Sequence, residues 1–369
     1  MRFIAILIVM FCPLTVQAET RQSSAGPLDV TLIADGLRTP WALAFLPDGG
    51  FLISERAGTL LRFAADGGSR TKIAGLPEVR SAGQGGLLDV LVPRDFAQSR
   101  QVYLSYSRPQ AHGAGTAVGV GRLSADGARL EDFRVIFEMA PGSSGGRHFG
   151  SRLVEAPDGT LFATIGERGD RPAAQDLSRV HGSVVRIARD GSVPGDNPFA
   201  GRDGTRAEIW SFGHRNAQGA ALDGEGRLWV TEHGARGGDE VNLIRRGANY
   251  GWPVISYGRH YSGAKIGEGT AREGMAQPAW YWDPSIAPSG LAILSDGLFD
   301  GWQGDFLAGS LKFDLISRLE RQGDALVEAE RLEWPETARV RDIREAPDGA
   351  IWFLSEDRGA IYRIAPAGK

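Results

Sequence analysis

The chain has 369 residues, of which 51 are glycine, 19 proline and one cysteine; 42% are hydrophobic and 23% charged. Glycine stands at about twice its usual share while proline is ordinary, which excludes a collagen-like or low-complexity chain. The net charge of −4 excludes a surface that grips nucleic acid by counterion release, though it leaves room for a local basic pocket.

Arg2 is followed by an apolar run from Phe3 to Leu14, and Val16-Gln17-Ala18 ends on a small residue. This pattern predicts a secretory signal over residues 1–18, too short for a stable membrane span, and hence a periplasmic or secreted protein. Cys12, the one cysteine, lies inside it, so residues 19–369 are expected to carry no disulfide or thiol chemistry. No later stretch approaches about 18 uninterrupted apolar residues, so no membrane insertion is expected.

A repeat follows. Residues 41–55, 152–166, 219–232 and 342–356 each read as an apolar run, a Pro-Asp-Gly or Asp-Gly turn, and a second apolar run. Asp-Gly between such runs is a hairpin signal, because glycine accepts positive φ without a Cβ clash. Gly58–Phe63 and Gly359–Ile364 supply third strands after the first and last copies. Amphipathic helical stretches are scarce. The spacing predicts an all-β fold, a six-bladed β-propeller of four-stranded antiparallel sheets, with residues 19–369 as one catalytic domain. A two-domain sandwich is the competing fold. In a propeller, functional residues should be scattered along the chain and gathered at the axis.

Between the hairpins lie polar and glycine-rich clusters. Gln84 sits among small residues in Ser81–Asp89, where an amide can approach a flat ligand or simply face solvent. His148, where a loop enters the second hairpin, suits a general base for an alcohol proton, although chemistry alone does not choose among six histidines. Arg215 and Asn216, before the third hairpin, suit polarising a carbonyl or binding a carboxylate. Glu232–Pro253 offers glycine-turn carbonyls and carboxylates of the kind Ca²⁺ accepts, without EF-hand spacing. The aromatics of Trp280–Trp282, ahead of Ser285, either stack on a planar ring or fill a blade core. Arg339 and Arg341, at i and i+2 on an extended chain, share a face and repel unless an anion lies between them. With Lys312 they suit a multiply charged carboxylate or phosphate ligand.

In this order, the segments Gly-His-Arg-Asn-x-Gln-Gly (213–219), Asp-Glu-Val-Asn-Leu-Ile (239–244) and Asn-Tyr-Gly-Trp-Pro (249–253) resemble the soluble pyrroloquinoline-quinone (PQQ) dependent glucose and aldose sugar dehydrogenases, most closely their periplasmic aldose sugar dehydrogenase branch. The resemblance runs from about Thr39 to Ile364. It implies that His148 is the base for the anomeric hydroxyl and that Arg215 and Asn216 contact the quinone oxygens. It further implies that Lys312, Arg339 and Arg341 hold the cofactor carboxylates, with Gln84, Tyr261 and Ser285 as further cofactor neighbours. Gly234 and Ala235 match carbonyl ligands of a catalytic Ca²⁺, and Glu240 and Tyr250 match a second, structural Ca²⁺ site. Arg152 is expected to be structural. The implied reaction oxidises an aldose to its lactone, passes hydride to PQQ and sends electrons to an external acceptor, in a monomer. Two departures stand out. Arg147 occupies a position where the glucose enzyme has an acidic sugar contact, and Ala235 stands where it has proline. The competing readings are a Ca²⁺-dependent propeller lactone hydrolase and a non-catalytic sugar- or peptide-binding propeller.

Overall fold

The computed structural model describes residues 18–295 and 297–368; all but the last residue of the expected signal segment 1–18, including Cys12, lies outside them. Six antiparallel sheets surround one axis. Their inner strands, in chain order, are Pro40–Phe45, Leu87–Leu91, Gly150–Glu155, Ala217–Leu222, Pro288–Ile293 and Val340–Glu345. Each contacts the next, and the last contacts the first, which closes the ring of a six-bladed propeller. Five blades have four strands. The sixth has five, because its outer positions are filled by the beginning of the chain. Gly26–Ala34 pairs with Ala360–Pro366, and Glu19–Ser23 pairs with Gly26–Ala34, so the two ends of the chain are bonded to each other.

All four sequence repeats are the inner hairpins of blades, with register pairs Phe45↔Phe51, Glu155↔Leu161, Leu222↔Leu228 and Glu345↔Ile351. Gly49, Gly159 and Gly349 take positive φ (82°, 83° and 78°) directly after the turn aspartates. In the third repeat Gly226 (75°) rather than Gly224 does so, two residues later than the Asp-Gly pair suggests. Each aspartate side chain accepts a main-chain N–H two residues on, the local bond that makes this residue a turn former.

Blade strands are buried on both faces, so they read as continuous apolar runs instead of alternating ones. Phe51–Glu55 is buried at every position. Leu52 packs toward the second blade, against Leu87 and Val102, while its neighbour Ile53 packs toward the sixth, against Trp352 and Leu354. Trp282 fills a core between the fourth and fifth blades and donates Nε1–H to Glu328 at 3.1 Å, which gives this residue the core-filling role, while Tyr281 is exposed and stacks on Tyr257.

The axis is closed midway by charge. Arg152, buried, lies 2.9 Å from Asp89 and 3.1 Å from Asp342, and Arg344 reaches the same two carboxylates at 3.3 and 3.2 Å. These residues come from the inner strands of the second, third and sixth blades, so the cluster spans the ring and gives Arg152 its structural role. It separates a polar cavity at the beginnings of the inner strands from an apolar one of about 290 Å³ at their ends.

The closure makes a graded test. Leu28, fully buried on Gly26–Ala34, should cost about 2–5 kcal/mol as Leu28→Ala in urea unfolding. Leu32, 38% exposed on the same strand, should change stability by no more than about 0.5 kcal/mol as Leu32→Ala. Equal effects would contradict the closure.

Candidate active site

The inner strands all begin at one end of the axis, and the residues at or just before those beginnings line a chamber of about 500 Å³. Trp41, Leu88, Gly150, Asn216, Ala287 and Arg341 enter it from six different blades. Of the residues singled out in the sequence, Gln84, Asn216, Lys312, Arg339 and Arg341 line this chamber. His148, Arg215, Tyr261, Ser285, Gly234 and Ala235 line an outer cavity of about 790 Å³, which shares Gln84, His233, Ala287 and Lys312 with the first. Glu240 and Tyr250 line a third, very small void of about 20 Å³, together with Gly234, Arg215 and Glu232.

His148 is held by its backbone. It has φ +56°, and Gly150, two residues on, has φ +64°. Its N–H donates to Gln84 Oε1 at 2.6 Å, and Gln84 N–H donates to Gly146 O at 2.7 Å, zipping two distant loops together. Gly166 packs directly under the His148 carbonyl, where a Cβ would come within 1.9 Å of that oxygen. The imidazole Nδ1 lies 2.9 Å from buried Glu167 Oε1, near enough to pair though off the axis of a straight hydrogen bond. Burial, aided by the Arg215 charge, outweighs Glu167 and holds the His148 pKa below 6.5. Near neutral pH the ring is therefore uncharged. With Nδ1–H turned to Glu167, the Nε2 lone pair is the free one.

Arg215 is buried. Its N–H donates to Glu232 at 2.8 Å and its Nη1 to His233 O at 3.1 Å, and its Nε has no partner among the described residues. Burial lowers its pKa. Asn216 Oδ1 accepts from Gly150 N at 3.1 Å and Gln218 Nε2 at 3.3 Å. Gln218 in turn accepts from Arg341 Nη1 at 3.2 Å. Ser285 Oγ donates to Asp239 at 2.7 Å, and Asp239 also accepts from Gly234 and Ala287 N–H at 2.8 Å each.

Arg339 and Arg341 do converge, though not on an extended chain as expected: Arg339 has φ +48° just before the strand Val340–Glu345, and the anion between them is a protein carboxylate. Glu356 Oε2 lies 2.8 Å from Arg341 Nε and 3.3 Å from Arg339 Nε. Burial works against the Glu356 carboxylate, but Arg341 and Arg339 outweigh it and hold its pKa below the ordinary value. Arg56 also lines the inner chamber. Counting Lys312, four cations surround that chamber; Glu356 pairs with two of them, and Asp357 reaches Arg339 at 3.9 Å. A planar, multiply charged carboxylate ligand fits this surplus.

No three His, Cys, Asp or Glu side chains converge on a metal position among the described residues. The Ca²⁺ reading rests instead on carbonyl oxygens. Those of Gly234 and Ala235 accept no hydrogen bond from described residues. The Tyr250 hydroxyl is committed to Leu243 O and Arg245 N, so its contribution to a cation would be its main-chain carbonyl. The small void has room for one ion or water. Desolvation beside Glu232 raises Glu240 to about 8, a carboxylate pair short of positive charge.

No role for Glu167, Glu356, Gln218, Arg56 or His233 follows from the sequence alone. Burial and Arg215 lower His233 to about 3, and its ring Nε2 bonds Pro288 O at 2.7 Å. A signal for the glutamates existed. Hairpin repeats end on Glu55, Glu232 and Glu356, and Glu167 follows the remaining one by a residue. Each turns its carboxylate onto the cavity end of the fold: Glu55 onto Arg38 N, Glu232 onto His214 and Arg215 N.

Comparison with known proteins gives the chain's family. The family model described as glucose/sorbosone dehydrogenase matches residues 37–363. The chain belongs to the glucose/sorbosone dehydrogenase family. It is 44% identical to the aldose sugar dehydrogenase YliI of Escherichia coli, over 96% of this chain and 97% of that protein. It is 27% identical to quinoprotein glucose dehydrogenase B of Acinetobacter calcoaceticus, over 94% and 88%. The apo-form of the soluble E. coli aldose sugar dehydrogenase superposes with TM-score 0.89 at 44% identity, over 92% of this chain and 99% of that one. The PQQ-bound aldose sugar dehydrogenase of Streptomyces coelicolor gives 0.77 at 27% identity, over 95% and 99%.

Glu356→Gln tests the bridging carboxylate. Because the folded-state pKa is depressed, its stabilisation is present at neutral pH and is lost as pH falls below about 4. The variant should unfold about 3 kcal/mol more easily at pH 7, and the difference should shrink on acidification. A pH-independent difference would contradict this.

Proposed function

We propose that the protein is a PQQ-dependent aldose sugar dehydrogenase that oxidises the anomeric carbon of an aldose to a lactone and delivers electrons to an external acceptor. The observation that carries the reading is the pairing of an uncharged, backbone-fixed histidine with a chamber of surplus cations at one axial opening. The names of its relatives support the same reading.

Lys312, Arg339 and Arg341, with Arg56 beside them, would hold the three carboxylates of the cofactor through charge-assisted hydrogen bonds in a partly desolvated chamber. Arg215 offers its unpartnered Nε, and Asn216 its amide, to the quinone oxygens. When bound there, PQQ would supply the two-electron oxidising capacity that the reaction needs. Ca²⁺ on the carbonyls of Gly234 and Ala235 would add Lewis acidity beside the quinone, and a second ion at Glu240 and Tyr250 would be structural.

The protein's own step is proton removal. His148 Nε2 takes the proton of the anomeric hydroxyl, while Glu167 fixes the tautomer and stabilises the imidazolium that forms. Gln84 and Gly166 keep the base in place. His233, held neutral and bonded to Pro288 O, fills the junction of the cavities without titrating near neutral pH. The signal-like segment 1–18 supports a reaction outside the cytoplasm.

Reconstitution with PQQ and Ca²⁺ should give dye reduction with aldoses. His148→Gln should lower kcat about 10²–10⁴-fold while PQQ still binds; full turnover in this variant would remove His148 as the base. The base form is lost as pH falls through a pKa below 6.5, so kcat/KM should fall on that acid limb. Since Glu167 raises the pKa of His148, Glu167→Gln should move the limb further toward acid and reduce kcat. Gly166→Ala should leave the far-UV spectrum intact and cost about 10²-fold in kcat by displacing His148. Unchanged turnover would show that the close approach is dispensable.

A further inference from the structure

The outer cavity carries two arginines that the mechanism above does not use. Arg236 and Arg259 face each other in an isolated antiparallel bridge, with Arg236 N–H donating to Arg259 O at 3.0 Å and Arg259 N–H to Arg236 O at 3.1 Å. Residues opposed in this way project to the same side, with Cβ atoms about 5 Å apart, and like charges so placed destabilise the pair. Both side chains are exposed and both line the cavity that holds His148. Neither has a carboxylate at ion-pair distance among the described residues. The cavity lining holds Arg215, Arg236, Arg259 and Lys312 against one carboxylate, Asp283, which packs against Gly237 and pairs with none of them. Arg147, exposed and next to the base, adds to the same field.

Guanidinium groups are donors only, in a fork that matches carboxylate and phosphate. A neutral sugar offers hydroxyls, which leave two forks and their repulsion uncompensated. The cations assigned to the cofactor, Lys312, Arg339 and Arg341, all line the inner chamber, whereas Arg236 and Arg259 belong to the outer wall alone. We propose that Arg236 and Arg259 form a subsite for an anionic group, carboxylate or phosphate, on the end of the aldose remote from the anomeric carbon. The protein thereby favours acidic aldoses, uronates or sugar phosphates, over neutral ones. This rests on the aldose dehydrogenase reading and names its substrate class.

The test has two arms. With the PQQ- and Ca²⁺-loaded protein, kcat/KM is measured for glucose, glucuronate and glucose 6-phosphate, in the wild type and in the Arg236→Gln/Arg259→Gln double variant. At least one anionic sugar should exceed glucose by about 10-fold or more, and the double variant should lose about 10–100-fold on it, as expected for charged hydrogen bonds. Glucose turnover should stay within about 2-fold, and about 0.5 M salt should erode the preference. Which of the two acids gains tells carboxylate from phosphate. In the second arm, calorimetry compares 1,5-anhydroglucitol 6-phosphate with 1,5-anhydroglucitol, neither of which has an anomeric hydroxyl to oxidise. The phosphate form should bind about 10-fold more tightly or better, and only while both arginines are present. If glucose is oxidised at least as well as both acids, or the double variant lowers all sugars alike, the subsite is wrong and the dehydrogenase reading stands. If no sugar is oxidised, the dehydrogenase reading fails, and equal binding of the two anhydroglucitols then removes the subsite as well.

Discussion

The site depends on one geometric constraint: six inner strands run the same way around a shared axis, so their beginnings meet at one end. Trp41 and Arg341 are 300 residues apart in sequence and line one chamber. The constraint holds only while the ring is shut. The bond between Gly26–Ala34 and Ala360–Pro366 shuts it, and the Asp89, Arg152, Asp342 and Arg344 cluster fills its middle. Removing one partner of such a cluster leaves an uncompensated buried charge. The cluster is therefore a structural floor to the chamber and not part of its chemistry.

Charge sets what the chamber can hold. Glu356 neutralises part of the repulsion between Arg339 and Arg341 and orients both forks, but four cations against Glu356 and the more distant Asp357 leave an excess. In a partly desolvated space that excess costs free energy unless an anion enters. The same reasoning separates the two cavities. The inner chamber suits a rigid polyanion, and the outer one, with His148 and Arg215 at its base, suits the molecule on which that polyanion acts.

Much of this was legible in the chain. The Pro-Asp-Gly repeats mark the inner hairpins of the first, third, fourth and sixth blades. The second and fifth blades differ because residues 92–100 and 294–305 join their inner strands through longer connections; the first has no Asp-Gly pair, and the second holds two, at 296–297 and 300–301, in a connection too long for a tight hairpin. Closure by the chain ends has no local pattern at all, since it joins strands more than 300 residues apart. At the site, Arg339 and Arg341 meet on one carboxylate, but Arg339 has φ +48° and precedes the strand Val340–Glu345, so neither the geometry that joins them nor the identity of the anion followed from strand periodicity. Glu356 meets them across a hairpin, and Glu167 meets His148 across a different pair of strands. Such contacts are set by register, and register is readable only once the fold is in place. The recurring glutamate at the hairpin ends was the available clue, visible as a pattern but without a partner to assign.

The most direct test is a calorimetric titration of PQQ into the wild-type protein and into Arg339→Gln/Arg341→Gln, at low and high salt. One molecule should bind per chain, and the double variant should lose about 10²-fold or more in affinity, the worth of two charge-assisted contacts, while remaining folded. Equal affinity in the two proteins would mean that the axial cations serve something other than an anionic redox cofactor.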